Sequence, residues 1–164
     1  MKRTLVFGLG LVCLLAAGAP AATPAAVREV EQDARQAFQH GDYPTAVRLY
    51  EDCLTQTPKD PRLLANLGTA YFQNNQLDAA ARTLRRATEL APKEEYAHRA
   101  LGVVSYWQRD DAGAVRFLSR AVDLDPGDAV AHKYLGLAYA RQGDRRRGSA
   151  ESERARQLIA AGRR

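Results

Sequence analysis

Small and apolar residues recur along the chain at one fixed interval. Leu67-Gly68 returns as Leu101-Gly102 and again as Leu135-Gly136, 34 residues later each time. The same step carries Ala80 to Ala114, Leu84 to Leu118, Ala87 to Ala121 and Pro92 to Pro126, with Pro58 one period earlier. A fainter copy precedes these, in which Asp33-Ala34 stands in place of Leu-Gly while Ala46, Tyr50, Cys53 and Pro58 keep their places. Self-similarity at this period marks stacked helix–turn–helix units, each of which buries its apolar face only against its neighbours.

Polar residues punctuate the pattern. "NNQ", "RDD" and "GDR" interrupt it within the units, and "HGDYP" puts Gly41 at a helix end and Pro44 just inside the next helix. "TPKD", "APKE" and "DPGD" close the units: the proline ends a second helix, and the polar residue after it can cap the next first helix. The pattern predicts eight helices in four antiparallel hairpins, an all-α fold. A glycine inside a helix costs about 1 kcal/mol relative to alanine. Gly68, Gly102 and Gly136 therefore point to close approach of two helix axes, helped by the small alanines of each second helix.

At these residues the chain resembles the tetratricopeptide repeat family. The second unit matches its pattern with Leu64, Leu67, Gly68, Tyr71, Ala80, Leu84, Ala87 and Pro92. The third gives His98, Leu101, Gly102, Ala114, Leu118, Ala121 and Pro126, with Ser105 where an aromatic is usual. The fourth gives His132, Leu135, Gly136 and Tyr139, then departs at Gly148 and Ser152. The resemblance implies a right-handed solenoid of about four hairpins: a degenerate repeat over 27–60, then repeats over 61–94, 95–128 and 129–164. The last helix, rich in charge and poor in large apolar residues, reads as a polar cap.

The family binds an extended peptide or a partner's helix in a concave groove lined by first helices. Carried onto this chain, that groove takes Arg35, Phe38, Arg62, Asn66, Thr69, Phe72, Gln73, Arg99, Tyr106, Trp107, Lys133 and Arg141, with Arg28, Glu31, Tyr96, Val103, Tyr134 and Leu137 beside them. The aromatic stripe Phe38, Phe72, Tyr106 also reads as packing between neighbouring first helices. Trp107, the only tryptophan, replaces a glutamine found in the two earlier units and so does not follow the repeat's own packing needs. Aromatics of this kind are frequent anchors at interfaces. The clamp that some family members use on a terminal carboxylate has only Asn66 as a counterpart, since Glu31, Tyr96 and Ala100 stand where it needs other groups.

The first residues change the picture of where the protein works. "MKR", the apolar run "TLVFGLGLVCLLAAG" and the small residues "APA" ending at Ala21 read as a signal peptide over 1–21, followed by a linker over 22–26. A periplasmic or secreted protein beginning near Ala22 is expected, with an uncleaved membrane anchor as the alternative. Cleavage would leave Cys53 as the sole cysteine, so no intramolecular disulfide is possible and a buried packing role is expected.

Charge is uneven. From Arg141 onward eight arginines meet three acids, whereas the rest of the mature chain carries 14 basic and 16 acidic residues. The basic end suits anionic lipid or cell-wall polymer, an alternative role as a surface tether. An exported protein is a poor reader of nucleic acid. The chain carries no nucleophile elbow, phosphate-binding loop or zinc spacing. His98 and His132 sit one period apart, roughly 10 Å between stacked repeats, too far to share a metal. No enzyme activity, cofactor or metal is expected, and a protein or peptide partner is.

Overall fold

The protein is described here by a computed structural model covering residues 24–162. The expected signal peptide over 1–21 lies outside the described residues. Within them the chain forms eight helices: α1 (Pro24–Gln39), α2 (Tyr43–Gln56), α3 (Pro61–Gln73), α4 (Leu77–Leu90), α5 (Glu95–Trp107), α6 (Asp111–Leu124), α7 (Ala129–Arg141) and α8 (Arg145–Gly162). The first helix begins inside the segment read as a linker. The remaining elements pair as the punctuation predicts.

Each hairpin turns on one residue in the left-handed region, and these residues keep the repeat's register. Gly41, Asn75, Arg109 and Gly143 have φ of 79, 60, 66 and 90°. The backbone N–H that follows each of them donates to the carbonyl five residues back, from Asp42 to Ala37, Gln76 to Tyr71, Asp110 to Ser105 and Asp144 to Tyr139. This is the helix-closing motif that glycine or asparagine suits best, and Arg109 is its costly member. Aspartates start the next helices: Asp42, Asp60, Asp110 and Asp128 each accept from a first-turn N–H.

Every helix packs on the next in sequence, and α5 also touches α3 and α7. The first helices therefore form the inner layer of a curved stack and the second helices the outer layer. Between the layers lie the fully buried Leu63, Leu64, Leu84, Leu101, Val104 and Leu118.

The glycine seams bear out the close-approach argument. A Cβ on Gly102 would sit 2.5 Å from Leu118 Cγ and 3.0 Å from its backbone nitrogen, and Gly68 faces Leu84 in the same way. The fourth hairpin solves the problem differently. A Cβ on Gly136 would sit 2.9 Å from the Gly148 carbonyl oxygen, and one on Gly148 equally close to the Gly136 carbonyl. With leucine replaced by Ser152, two glycine backbones meet directly. Helix α8 then buries only Gly148 and Ala155, as a terminal cap does.

Cys53 and the histidines are internal. Cys53 is 2% exposed, its thiol 3.7 Å from the Val27 carbonyl, and burial pushes its pKa up. His98 and His132 each place Nε2 against the carbonyl of the proline closing the preceding repeat, Pro92 at 3.1 Å and Pro126 at 3.2 Å. They lock one repeat to the next.

A candidate partner-binding groove

The inner helices α3, α5 and α7 leave an apolar hollow of about 130 Å³ between them. Apolar cavities of about 150 Å³ accept a benzene ring, so the hollow has room for one apolar side chain. Its walls are Thr69, Phe72 and Gln73 from α3, Tyr96, Arg99, Ala100 and Val103 from α5, and Val130 from α7, over a floor of Leu84 and Val104. Helical spacing explains the set, because Tyr96, Arg99, Ala100 and Val103 recur at three and four residues and so share one face of α5.

Polar contacts fix the walls. The Thr69 hydroxyl donates to the Ala65 carbonyl at 2.9 Å, which leaves the Tyr96 hydroxyl to donate to Thr69 at 2.8 Å. Arg99 lies 5.2 Å above the Tyr96 ring and reaches 3.2 Å from Asp128 and 3.6 Å from Glu95. Asp128 is the buried cap of α7, its other oxygen accepting from the Val130 and Ala131 N–H groups at 2.9 and 3.1 Å. Two carboxyls thus share one guanidinium. Burial and a hydrogen bond with Asp128 push Glu95 up to about 7. Burial works against Asp128 too, but the bond from Glu95, the N–H groups and Arg99 hold it low.

Trp107 stands beside this hollow, 54% exposed. Its ring centroid is 6.4 Å from Phe72 in the wall and 6.3 Å from Tyr106. Val130, 45% exposed, completes an apolar rim.

Of the residues expected in the groove, Thr69, Phe72, Gln73 and Arg99 line the hollow and Trp107 adjoins it. The others are drawn elsewhere. Phe38 packs edge-on against Tyr43 at 5.5 Å, in the core of the first hairpin. Arg35 and Arg62 both pair with the buried Glu31, and the Arg62 hydrogen bonds hold that carboxyl below its usual range against the effect of burial. Asn66 is half-buried on α3, outside the hollow. Lys133 lies 5.6 Å above the Tyr134 ring. Arg141 folds back onto Asp111, donates to the Tyr106 carbonyl at 2.7 Å and covers the Tyr106 ring at 3.9 Å, while Tyr106 also stacks on Tyr134. The sequence reading missed Val130 and Ala100 as walls. An apolar residue two places after a helix-capping aspartate was the available signal for Val130.

Among the described residues, no three His, Cys, Asp or Glu side chains gather so that they could hold a metal ion, and no helix is long and apolar enough to cross a membrane. Residues 37–103 match the family model described as Tetratricopeptide repeat. No curated protein matches the chain in sequence. Solved structures are similar throughout. MamA from Desulfovibrio magneticus RS-1 is 21% identical with a TM-score of 0.75, covering 82% of this chain and 76% of that one. The Sgt2 TPR domain from Aspergillus fumigatus is 24% identical at 0.71, covering 79% and 86%. The first TPR of Spaghetti (RPAP3), bound to the HSP90 peptide SRMEEVD, is 18% identical at 0.71, covering 76% and 99%.

The fold is the tetratricopeptide-repeat solenoid. The hollow between α3, α5 and α7 lies on the inner face of that solenoid.

Proposed function

We propose that this protein is an exported tetratricopeptide-repeat scaffold that binds a protein or peptide partner in its concave groove, without catalysis. The observation that carries the reading is the apolar hollow between the inner helices, with the exposed Trp107 at its edge. A partner side chain seated there is flanked by Trp107 and Phe72 on one side and by Arg99 on the other. The RPAP3 domain, of the same fold, holds a peptide, which supports a peptide-sized ligand for this groove. The acidic-tail chemistry of that peptide is not carried over. Arg35, Arg62, Arg99 and Arg141 already have carboxylate partners, so the groove offers apolar and aromatic contact before free positive charge.

Export rests on the first 21 residues. The mass of the exported protein tests it, with a start near Ala22 expected and a membrane-bound product retaining Met1 favouring the anchor. For the groove, a partner captured by crosslinking from the exported fraction is titrated against the parent and Trp107→Ala at low and high salt. Affinity falls by about 2 kcal/mol or more for the variant, with helical content unchanged. The alternative, a tether to anionic lipid or cell-wall polymer through the last hairpin, is favoured by Arg145, Arg146 and Arg154, which are exposed and join no ion pair among the described residues. It predicts that salt abolishes binding while Trp107→Ala leaves it intact.

A further inference from the structure

The outer layer carries charge in a register that helix stability does not explain. In α2 the outward positions one turn apart hold Arg48 and Asp52, an ion pair at 3.7 Å. One period on, the same positions hold Arg82 and Arg86, and one period further Arg116 and Arg120. Arg154 continues the second row in α8. Like charges four residues apart destabilise a helix, whereas the opposite pair of α2 supports one. Helix α2 shows what these positions hold when only the helix is served, and α4 and α6 depart from it twice in the same way.

These cations are exposed, and none of them joins an ion pair among the described residues. Arg86 and Arg120 use one N–H each on the Pro58 and Pro92 carbonyls, at 3.3 and 3.5 Å, which braces their stems and leaves the rest of the guanidinium free. The exposed Glu89 and Asp123 also repeat, and α4 adds the exposed Asp78 and Arg85, so exposed arginines outnumber exposed acids three to two on α4 and two to one on α6. Along a ridge the arginines are about 6 Å apart; the two ridges belong to successive repeats, with α4 and α6 both packed on α5. This is a two-dimensional grid. A plane of anions satisfies all of it, whereas a single linear polyanion follows one row. Arginine's planar fork takes phosphate oxygens in pairs, and Leu90, 45% exposed, sits at the grid's edge beside Arg86.

We propose that the outer face of α4 and α6 docks on an anionic lipid bilayer, its arginine grid receiving headgroup phosphates. This surface is opposite the groove and independent of it, and it moves the membrane contact from the last hairpin to the middle of the solenoid.

The test is sedimentation of the full chain with vesicles of phosphatidylcholine containing about a third phosphatidylglycerol, against vesicles of phosphatidylcholine alone, with two grid variants. Arg82→Gln/Arg116→Gln removes two charges, and Arg86→Asp/Arg120→Asp rebuilds the pairing of α2. The parent binds only the anionic vesicles and is released by salt. Each double variant binds them at least about tenfold more weakly, while circular dichroism shows unchanged helix and no loss of melting temperature. Equal binding to both vesicle types overturns the proposal. So does a loss confined to Arg145→Gln/Arg146→Gln, or tight binding of soluble polyphosphate with none to vesicles. Capture of the groove partner, read separately, is unaffected by the grid variants.

Discussion

The joint between the first two repeats and the joint between the last two occupy the same places in the solenoid with opposite charge. In the first, Glu31 on α1 reaches forward to Arg62 at the start of α3. In the last, Arg99, two periods after Glu31, reaches forward to Asp128 at the start of α7. The first joint gives one carboxyl two arginines, Arg35 and Arg62, and the carboxyl is held low. The last gives one arginine two carboxyls, and Glu95 is pushed up to about 7. The repeat thus fixes where a contact is made and leaves its chemistry free.

The largest effect is expected where the cap and the ion pair coincide. Asp128→Ala removes the α7 cap and leaves Arg99, only 26% exposed, with Glu95 as its one carboxyl partner, so unfolding in urea at neutral pH should show a loss of about 2–3 kcal/mol. The equivalent Asp60→Ala removes a cap whose arginine is 57% exposed and keeps Glu31, and about 1 kcal/mol is expected. Equal losses would break the contrast.

Geometry is what the joints share, and the glycine seam measures it. Gly102→Ala gains about 1 kcal/mol of helix propensity, yet the new Cβ meets the backbone of Leu118 as well as its side chain. A net loss of about 1–3 kcal/mol is expected. A raised denaturation midpoint would contradict the close approach.

Glu95 of the last joint and Glu31 of the first should also respond to pH in opposite directions. Folded Glu95 binds its proton more tightly than the unfolded chain does. Its contribution is therefore greatest below the usual value of 4.5 and falls as pH rises towards about 7. Glu95→Gln should flatten that fall and stabilise the protein at pH 8 by about 1–2 kcal/mol. Glu31 has the reverse sign: its folded pKa is depressed, so its contribution is complete above 4.5 and is lost as pH drops through the lower folded value. Glu31→Gln should cost about 1 kcal/mol at neutral pH, reduced by the exposure of Arg62, and nothing in strong acid. Denaturation midpoints across the acid range measure both.

What the sequence made legible follows from this division. Position in the repeat announced the hairpins, the glycine seams, the buried Cys53 and histidines, and the face that holds Thr69, Phe72, Gln73 and Arg99. It could not announce partners chosen by long side chains. Arg141 points towards the groove by register but finds Asp111 and the Tyr106 carbonyl, some thirty residues back. Phe38 lies in the same register as Phe72, yet Gln73 stands where Phe72 meets Trp107, and Phe38 packs on Tyr43. Position 148 looked like decay of the pattern, and the structure shows it as a second route to the same seam, glycine against glycine.

The central claim is that the groove beside α5 is where a partner binds, and the lone tryptophan reports on it directly. Trp107 is the only tryptophan, half exposed at the edge of the hollow. When the captured partner is titrated into the protein at high salt, Trp107 emission should shift to the blue and its quenching by iodide should fall, both saturating with the binding curve. A partner that binds with full affinity while emission and quenching stay unchanged would place the interface elsewhere and contradict the account.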